Sequence, residues 1–191
     1  WRAGGFGAGV GRDAIGAGRH RLAQLVTAAR RMRVTLIRHG EAEARAPRDE
    51  DRALTKRGRA DVRRVGRALC RHGVRFSLII SSPLVRAVQT AEIIAAAVNY
   101  RGTIVVTRAL IPDADVTGIR ALLADHADAS SVALVAHEPI LSAAAAALLG
   151  VGGVPALKKS EAIRLRLADG PAGVGRFRWR IEPASGKRQR Q

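Results

Sequence analysis

Polar side chains that can bind and attack phosphate follow separate apolar runs of this 191-residue chain. Arg38 and His39 follow the first run, Arg86 lies a few residues after the second, and His137 follows a later one. Guanidinium groups bind phosphoryl oxygens in bidentate fashion, which a lysine ammonium group cannot do. A neutral imidazole nitrogen can attack phosphorus without a separate base. The residue types therefore indicate phosphoryl chemistry, provided that the fold brings them together.

An alternation of strand and helix patterns supplies the elements that would position these groups. Ligands of open α/β sheets bind beyond the carboxyl ends of the strands, and the four polar residues fall at or near such ends. Strands that are separated by helices form mainly parallel sheets covered on both faces. The apolar patterns predict strands at 33–37, 77–81, 103–107 and 132–136, and helices at 55–71, 82–98, 117–127 and 139–149.

Local signals predict two helix starts and the far side of the sheet. Thr55 is expected to cap one helix, and Ser82 with Pro83 is expected to open the next, with proline in the first turn. Apolar residues alternate with arginine at 163–167 and 177–181, which predicts a hairpin with one solvent-exposed face. The predicted fold class is α/β: a three-layer sandwich with a mainly parallel sheet, helices on both faces and a C-terminal antiparallel edge hairpin.

Length and composition predict one domain with basic ends. The chain has 47% hydrophobic residues, which suffices for one core but not for two catalytic domains. Residues 1–31 are a Gly-, Ala- and Arg-rich extension that we expect to be non-native or disordered, because Met32, the only methionine, directly precedes the first strand. The domain is expected to span 32–182, followed by a basic tail at 183–191. The single Cys70 excludes an intramolecular disulfide and a cysteine-based zinc cluster.

The net charge of +17 favours an anionic partner without identifying it. A basic protein that binds nucleic acid or another polyanion is therefore a rival hypothesis, although aromatic residues at 3% argue against a stacking platform for single strands. Because 29 of the 33 cationic side chains are arginine, coding bias is an equally good explanation of the charge. Residues 139–157 carry no charge, but their glycines and Pro155 favour a core helix and a loop over a membrane span. We expect a cytoplasmic protein without membrane or specific nucleic-acid partners.

Each polar residue also has a purely structural interpretation. A lone histidine at a strand end is more often a hydrogen-bonded structural residue than a catalytic one, and a lone arginine such as Arg86 is usually solvated. A metal site at His39 and His137 has no third ligand at a diagnostic spacing, and the nearby arginines would repel a cation, so no metal is expected. The acidic residues of the loop after the first strand are interpreted as solvated: Glu41, Glu43, Asp49, Glu50 and Asp51.

Four segments, in order, resemble the motifs of the histidine phosphatase superfamily, which has the phosphoglycerate mutase-like fold. The resemblance covers about 32–168. Three of the segments are similar to the family's motifs, and the segment at 54–58 is similar to the start of its first helix. Three motifs together are far more specific than one. Lacking a large inserted cap, the chain is most similar to the SixA-type phosphohistidine phosphatases. The matching segments are Thr-Leu-Ile-Arg-His-Gly-Glu at 35–41, Leu-Thr-Lys-Arg-Gly at 54–58, Ser-Ser-Pro-Leu-Val-Arg-Ala-Val-Gln-Thr-Ala at 81–91 and Val-Ala-His-Glu-Pro at 135–139.

The resemblance implies a role for each matching residue. His39 would be the nucleophile that becomes phosphohistidine, and the phosphoryl oxygens would be held by Arg38, Gly40, Arg86 and His137. Catalysis would then come mainly from positioning and charge stabilisation.

The proton donor is the least defined part of the implied site. Glu138 is preferred to Asp113 as the donor, and both lie near predicted loops. An imidazole leaving group places less demand on such an acid than an alkoxide does.

The implied function is a phosphatase without any metal or organic cofactor. The implied substrate is a phosphorylated histidine in a protein, such as a phosphotransfer or carrier domain. A small phosphate ester is the alternative substrate within the same superfamily, and the protein is expected to be a monomer or a weak dimer.

Overall fold

A single seven-stranded sheet organises the part of the chain that the computed structural model describes, residues 31–190. The strands lie in the order β3-β2-β4-β1-β5-β6-β7. Neighbouring strands are parallel from β3 to β1 and antiparallel from β1 to β7. The strands are β1 (Met32–Arg38), β2 (Leu78–Ser81), β3 (Ile104–Val106), β4 (Ser131–Ala136), β5 (Ala162–Leu167), β6 (Gly175–Ile181) and β7 (Arg188–Gln189).

Helices cover both faces of this sheet, because successive side chains of each strand point to opposite sides. On one face, Ile37 of β1 packs in a core cluster with the helices α1 (Lys56–Arg71) and α2 (Val85–Ala97). On the other face, Leu36 packs in a second cluster with α3 (Thr117–Ala124) and α4 (Ile140–Leu149). The predicted α/β sandwich with a parallel core and an antiparallel C-terminal part is confirmed.

The helix starts agree with the sequence in one case and differ in another. Thr55 caps α1 as expected, and its Oγ1 accepts a hydrogen bond from the backbone N–H of Gly58 at 2.9 Å. The prediction that Ser82 and Pro83 open the next helix was wrong, because α2 begins at Val85 with Leu84 as the preceding residue. Ser82 instead follows β2 directly, and its hydroxyl lies next to the ring of His137.

The C-terminal hairpin is less exposed than its alternating pattern indicated. β5 pairs with β1 on one side and with β6 on the other, so it is an interior strand. Arg164 on β5 is only 6% exposed, which contradicts the predicted solvent-exposed face of this strand. Its guanidinium donates to the hydroxyls of Thr35 and Ser131, and it lies 5.8 Å from the ring centre of Trp179. The edge strand of the antiparallel part is β7, which lies within the predicted basic tail at 183–191.

The predicted non-native or disordered extension at 1–31 lies outside the described residues except for Arg31, and it stays a prediction. The uncharged segment 139–157 forms α4 and the start of a loop, as expected. Among the helices of residues 31–190, none has the length and apolar character needed to cross a bilayer.

Candidate active site

Three adjacent parallel strands bring the predicted site residues to one edge of the sheet. β4 lies between β2 and β1, so His137, directly after β4, lies between the residues that follow its two neighbours. The two imidazole rings of His39 and His137 lie 4.9 Å apart, centre to centre. Arg38 ends β1, and Arg86 lies in the first turn of α2. The sequence-based expectation that these four residues converge is thus met by the geometry.

Within residues 31–190, one ring nitrogen of His39 has a hydrogen-bond partner and the other has none. Its Nδ1 lies 2.6 Å from the backbone oxygen of Gly40. Because a carbonyl oxygen only accepts, Nδ1 carries the proton, and the lone pair of the neutral ring belongs to Nε2. The ring is 9% exposed. His39 therefore presents a nucleophilic nitrogen whose orientation is set by its own backbone.

Burial keeps both imidazoles neutral. It lowers the pKa of His39 from 6.5 to about 4, and the positive charges of Arg86 and Arg38 add to this effect against the opposing Gly40 hydrogen bond. The pKa of His137 is lowered to about 3, first by burial and then by His39 and Arg86. At neutral pH both rings are therefore uncharged, although they stand beside two guanidinium groups.

Ser82 orients the second imidazole. Its hydroxyl oxygen lies 2.9 Å from Nε2 of His137, and the ring is 2% exposed. The other ring nitrogen, Nδ1, is buried without a hydrogen-bond partner within residues 31–190. Sequence reasoning assigned Ser82 to a helix cap, and its contact with His137 becomes visible only when β2 and β4 are placed side by side.

Gly40 allows the backbone after His39 to pass close to α1. A Cβ at this position would lie 2.8 Å from Cγ2 of Val62 and 3.1 Å from the backbone oxygen of Gly58. The N–H of Gly40 donates to the hydroxyl of Thr90 on α2 at 3.1 Å. The phosphate contact expected for Gly40 stays a prediction.

Arg38 is held by the loop that precedes β5. Its Nη1 donates to the backbone oxygen of Leu157 at 2.6 Å. The backbone N–H of Leu157 in turn donates to Oε1 of Glu138 at 2.9 Å. The second carboxylate oxygen of Glu138 accepts from Ser142 at 2.6 Å. Both oxygens of Glu138 thus accept hydrogen bonds, and the proton-donor assignment of this residue stays a prediction.

Asp49 contacts the site although sequence reasoning interpreted it as a solvated loop residue. Nη2 of Arg86 lies 2.9 Å from Oδ2 of Asp49, and Nη1 donates to the backbone oxygen of the same residue at 2.8 Å. Arg86 is 4% exposed, whereas the Asp49 side chain is 63% exposed. Desolvation raises the pKa of the Asp49 carboxyl, but the hydrogen bonds and positive charges of Arg86 and Arg52 together outweigh it and hold the pKa below its usual value.

Three buried nitrogens of the predicted site residues have no hydrogen-bond partner in the described part of the chain. Besides Nδ1 of His137, the Nε atoms of Arg38 and Arg86 are buried without a hydrogen bond within residues 31–190. Nε of Arg52, Nε of Arg180 and Oγ of Ser160 share this property, so it is not confined to the four predicted site residues. Guanidinium donors beside a neutral histidine fit a tetrahedral oxyanion. In the same part of the chain, no three His, Cys, Asp or Glu side chains are grouped as metal ligands.

The Asp113 side chain forms none of the hydrogen bonds described above. It is an exposed residue of the turn that follows the 3₁₀ helix Arg108–Leu110. Its predicted role as a second proton donor stays a prediction.

Comparison with known proteins gives the same class as the site. The family profile described as the histidine phosphatase superfamily (branch 1) matches residues 34–111. The phosphohistidine phosphatase SixA of Escherichia coli is 30% identical over 156 residues, which cover 81% of this chain and 96% of that protein. A solved structure of the protein histidine phosphatase SixA with tungstate superimposes with a TM-score of 0.77 at 28% identity, covering 82% of this chain and all of that one.

A third relative matches only locally. The mitochondrial serine/threonine-protein phosphatase Pgam5 of Drosophila persimilis is 40% identical over 70 residues, or 37% of this chain. The matched part spans 24% of that relative's length.

The chain belongs to the histidine phosphatase superfamily. Within it, the similarity in sequence and structure to SixA phosphohistidine phosphatases is strong. The resemblance inferred from the motifs and the phosphoglycerate mutase-like fold class are confirmed, and the relatives support a phosphatase enzyme.

Proposed function

We propose that this protein is a phosphatase that works through a covalent phosphohistidine at His39. The observation that carries the proposal is the placement of an oriented imidazole, neutral at neutral pH, beside the guanidinium groups of Arg38 and Arg86. Membership of the superfamily and the similarity to SixA support it.

The first chemical step follows from the tautomer of His39. Its Nε2 lone pair attacks phosphorus and forms a P–N bond, while the bond between phosphorus and the leaving group breaks and its electron pair goes to the leaving atom. Because Nδ1 already donates to the Gly40 carbonyl, the phosphorylated ring keeps its orientation. Water then attacks phosphorus in the second step, the P–N bond breaks, and inorganic phosphate leaves.

Arg38, Arg86 and His137 hold the phosphoryl oxygens in this proposal. Phosphoryl transfer needs little covalent help from the protein, so oriented positive charge supplies most of the stabilisation. Arg86 must exchange its contact with Asp49 for a phosphoryl oxygen. That exchange costs little, because the Asp49 carboxylate is well exposed and water replaces its lost hydrogen bonds.

Glu138 acts as a positioning residue in this proposal. Its carboxylate fixes the N–H of Leu157, and the carbonyl of that residue fixes Arg38. Both carboxylate oxygens already accept hydrogen bonds, from the N–H of Leu157 and the hydroxyl of Ser142, so this role does not need Glu138 to donate a proton. An imidazole leaving group is then protonated from solvent.

We infer a phosphohistidine in a protein as the substrate. SixA, the relative that aligns over most of both chains, carries this activity in its name. Lys159 is exposed next to the site, and its charge acts on His39, so the rim favours an acidic partner surface. A small phosphate ester is the alternative, and the test below separates the two substrates.

The decisive experiment traps the intermediate. A histidine phosphotransfer domain carrying radiolabelled phosphohistidine is mixed with enzyme, quenched in alkali, and the acid-labile label is mapped by mass spectrometry. We expect the label on His39, and we expect His39→Ala to lower turnover about a thousandfold or more, with His126→Ala as the matched control. Label on a serine or an aspartate would overturn the proposal. Turnover of sugar phosphates at equal or higher kcat/KM would overturn only the substrate assignment.

A further inference from the structure

A second cationic cavity lies at the end of the sheet away from the active site. It has a volume of about 700 Å³, and no aspartate or glutamate lines it. Phe177 and Trp179 line it together with seven arginines. We call it the arginine pocket, and its arginines are Arg31, Arg33, Arg164, Arg166, Arg178, Arg188 and Arg190.

The arginine pocket is separate from the catalytic crevice. Arg33 lies at the start of β1 and pairs in register with Arg166 of β5. The catalytic histidine follows the opposite end of β1, and the five residue-to-residue steps from Arg33 to Arg38 span about 17 Å of extended chain. An anion in this pocket would therefore not reach the phosphoryl group at His39.

The positive charge of the arginine pocket is not neutralised by the described part of the chain. None of its seven arginines forms an ion pair with a carboxylate of residues 31–190. Arg164 is buried, and its guanidinium is bonded only to neutral hydroxyls. Burial, with the charge of Arg33, lowers the pKa of Arg164 to about 10. Like charges held this close repel one another, and an anion of several charges would relieve the repulsion.

We propose that the arginine pocket binds a small molecule that carries three or more linked phosphate groups. Several guanidinium forks on neighbouring strands of the sheet match a chain of phosphoryl oxygens. The volume lies within the range of about 300–1,000 Å³ that is typical of small-molecule sites. A nucleic-acid strand is disfavoured, because Trp179 is 7% exposed beneath Arg164 and offers no open face for base stacking.

Trp179 supplies the readout. The full-length chain is used in a Trp1→Phe background, so that Trp179 is the only tryptophan. Its fluorescence is followed during titration with inorganic tripolyphosphate, with adenosine triphosphate and with a thirty-residue oligothymidylate. We expect saturable binding of the two short phosphates that persists in Arg86→Ala, in which the active-site anion contact is removed.

Paired substitutions test whether the pocket itself binds. Arg33→Gln with Arg166→Gln should weaken tripolyphosphate binding about tenfold or more and leave phosphatase activity unchanged. The matched control is Arg63→Gln with Arg67→Gln, two exposed arginines of α1 that change the net charge equally.

The relative affinities of the three probes identify what the arginine pocket binds. Tighter binding of adenosine triphosphate than of tripolyphosphate would identify a nucleotide as the source of the phosphates, and equal binding would identify the phosphate chain alone. Equal weakening by both variant pairs would overturn the proposal, because it would mean diffuse charge attraction. Binding of the oligothymidylate alone, or no binding at all, would also overturn it.

Discussion

The neutral state of His39 can be tested by titration. Burial and two neighbouring guanidinium groups lower its pKa to about 4. At pH 5 the ring would then be about 90% neutral, whereas an ordinary histidine with a pKa of 6.5 would be about 3% neutral. The nucleophilic fraction at that pH differs about thirtyfold between the two cases. NMR of the five imidazoles between pH 3 and pH 8 measures the pKa directly, and His39→Gln assigns the signal.

The same shift has a consequence for stability. A histidine whose folded pKa lies below its unfolded pKa binds protons more readily in the unfolded state. Its contribution to stability is complete above about pH 6.5 and is lost as the pH falls toward the folded pKa of about 4. Between pH 7 and pH 5 the free energy of unfolding should fall by about 2 kcal/mol more in the wild type than in His39→Gln.

Two results would refute this reasoning. A midpoint near 6.5 for the assigned His39 signal would mean that burial and the arginines do not control its charge. Identical pH dependence of urea unfolding in the wild type and in His39→Gln would mean that the ring is equally protonated in the folded and unfolded states. A circular dichroism spectrum at each pH confirms that the titrated protein is folded.

Three further predictions concern the residues around the site. Glu138→Gln should keep most of the wild-type kcat, because the amide oxygen can still accept the backbone N–H of Leu157. Glu138→Ala should lower kcat about tenfold. Equal losses of kcat in the two variants would instead support a role of Glu138 as proton donor. Asp49→Asn frees Arg86 of its internal carboxylate, so the inhibition constant of product phosphate should fall by up to about fivefold, and an unchanged constant would contradict the exchange. Gly58→Ala should destabilise the protein by about 2 kcal/mol or more in urea unfolding, because its Cβ would lie 2.0 Å from a backbone oxygen of the loop after β1. The matched control Gly118→Ala meets no atom within 4 Å and should be neutral or slightly stabilising.

The sequence was sufficient for the fold class because hydrophobic periodicity and helix caps are local signals. Thr55 shows this well, since its hydroxyl and the N–H three residues later suffice to begin α1. The convergence of His39 and His137 needed one further rule, that ligands of open α/β sheets bind beyond the carboxyl ends of the strands. The start of α2 was mispredicted because the Ser82 hydroxyl has two partners. It lies 2.9 Å from the His137 ring and 3.4 Å from the backbone nitrogen of Leu84, and the sequence pattern shows only the local one.

The contacts that sequence reasoning missed are long-range. Asp49 and Arg86 are 37 positions apart, and nothing in the local pattern distinguishes this carboxylate from its acidic neighbours. Arg164 was assigned to a solvent-exposed face because the strand alternates, but pairing on both sides covers it. In both cases the partner is supplied by another strand or loop, so the information lies in the tertiary arrangement and not in the spacing.

In the proposed mechanism, the contact between Asp49 and Arg86 explains how a buried guanidinium can remain available for phosphate. A guanidinium that is 4% exposed and without any anion would destabilise the folded protein, because its charge would be neither hydrated nor paired. A buried carboxylate would solve this problem but would hold the guanidinium too tightly to be displaced. Asp49 lies between these extremes: it neutralises Arg86 from a position where it is itself 63% exposed, so solvent stabilises the carboxylate once phosphate takes its place. The free protein can therefore keep the site folded, while its positive charge stays accessible to a phosphoryl group.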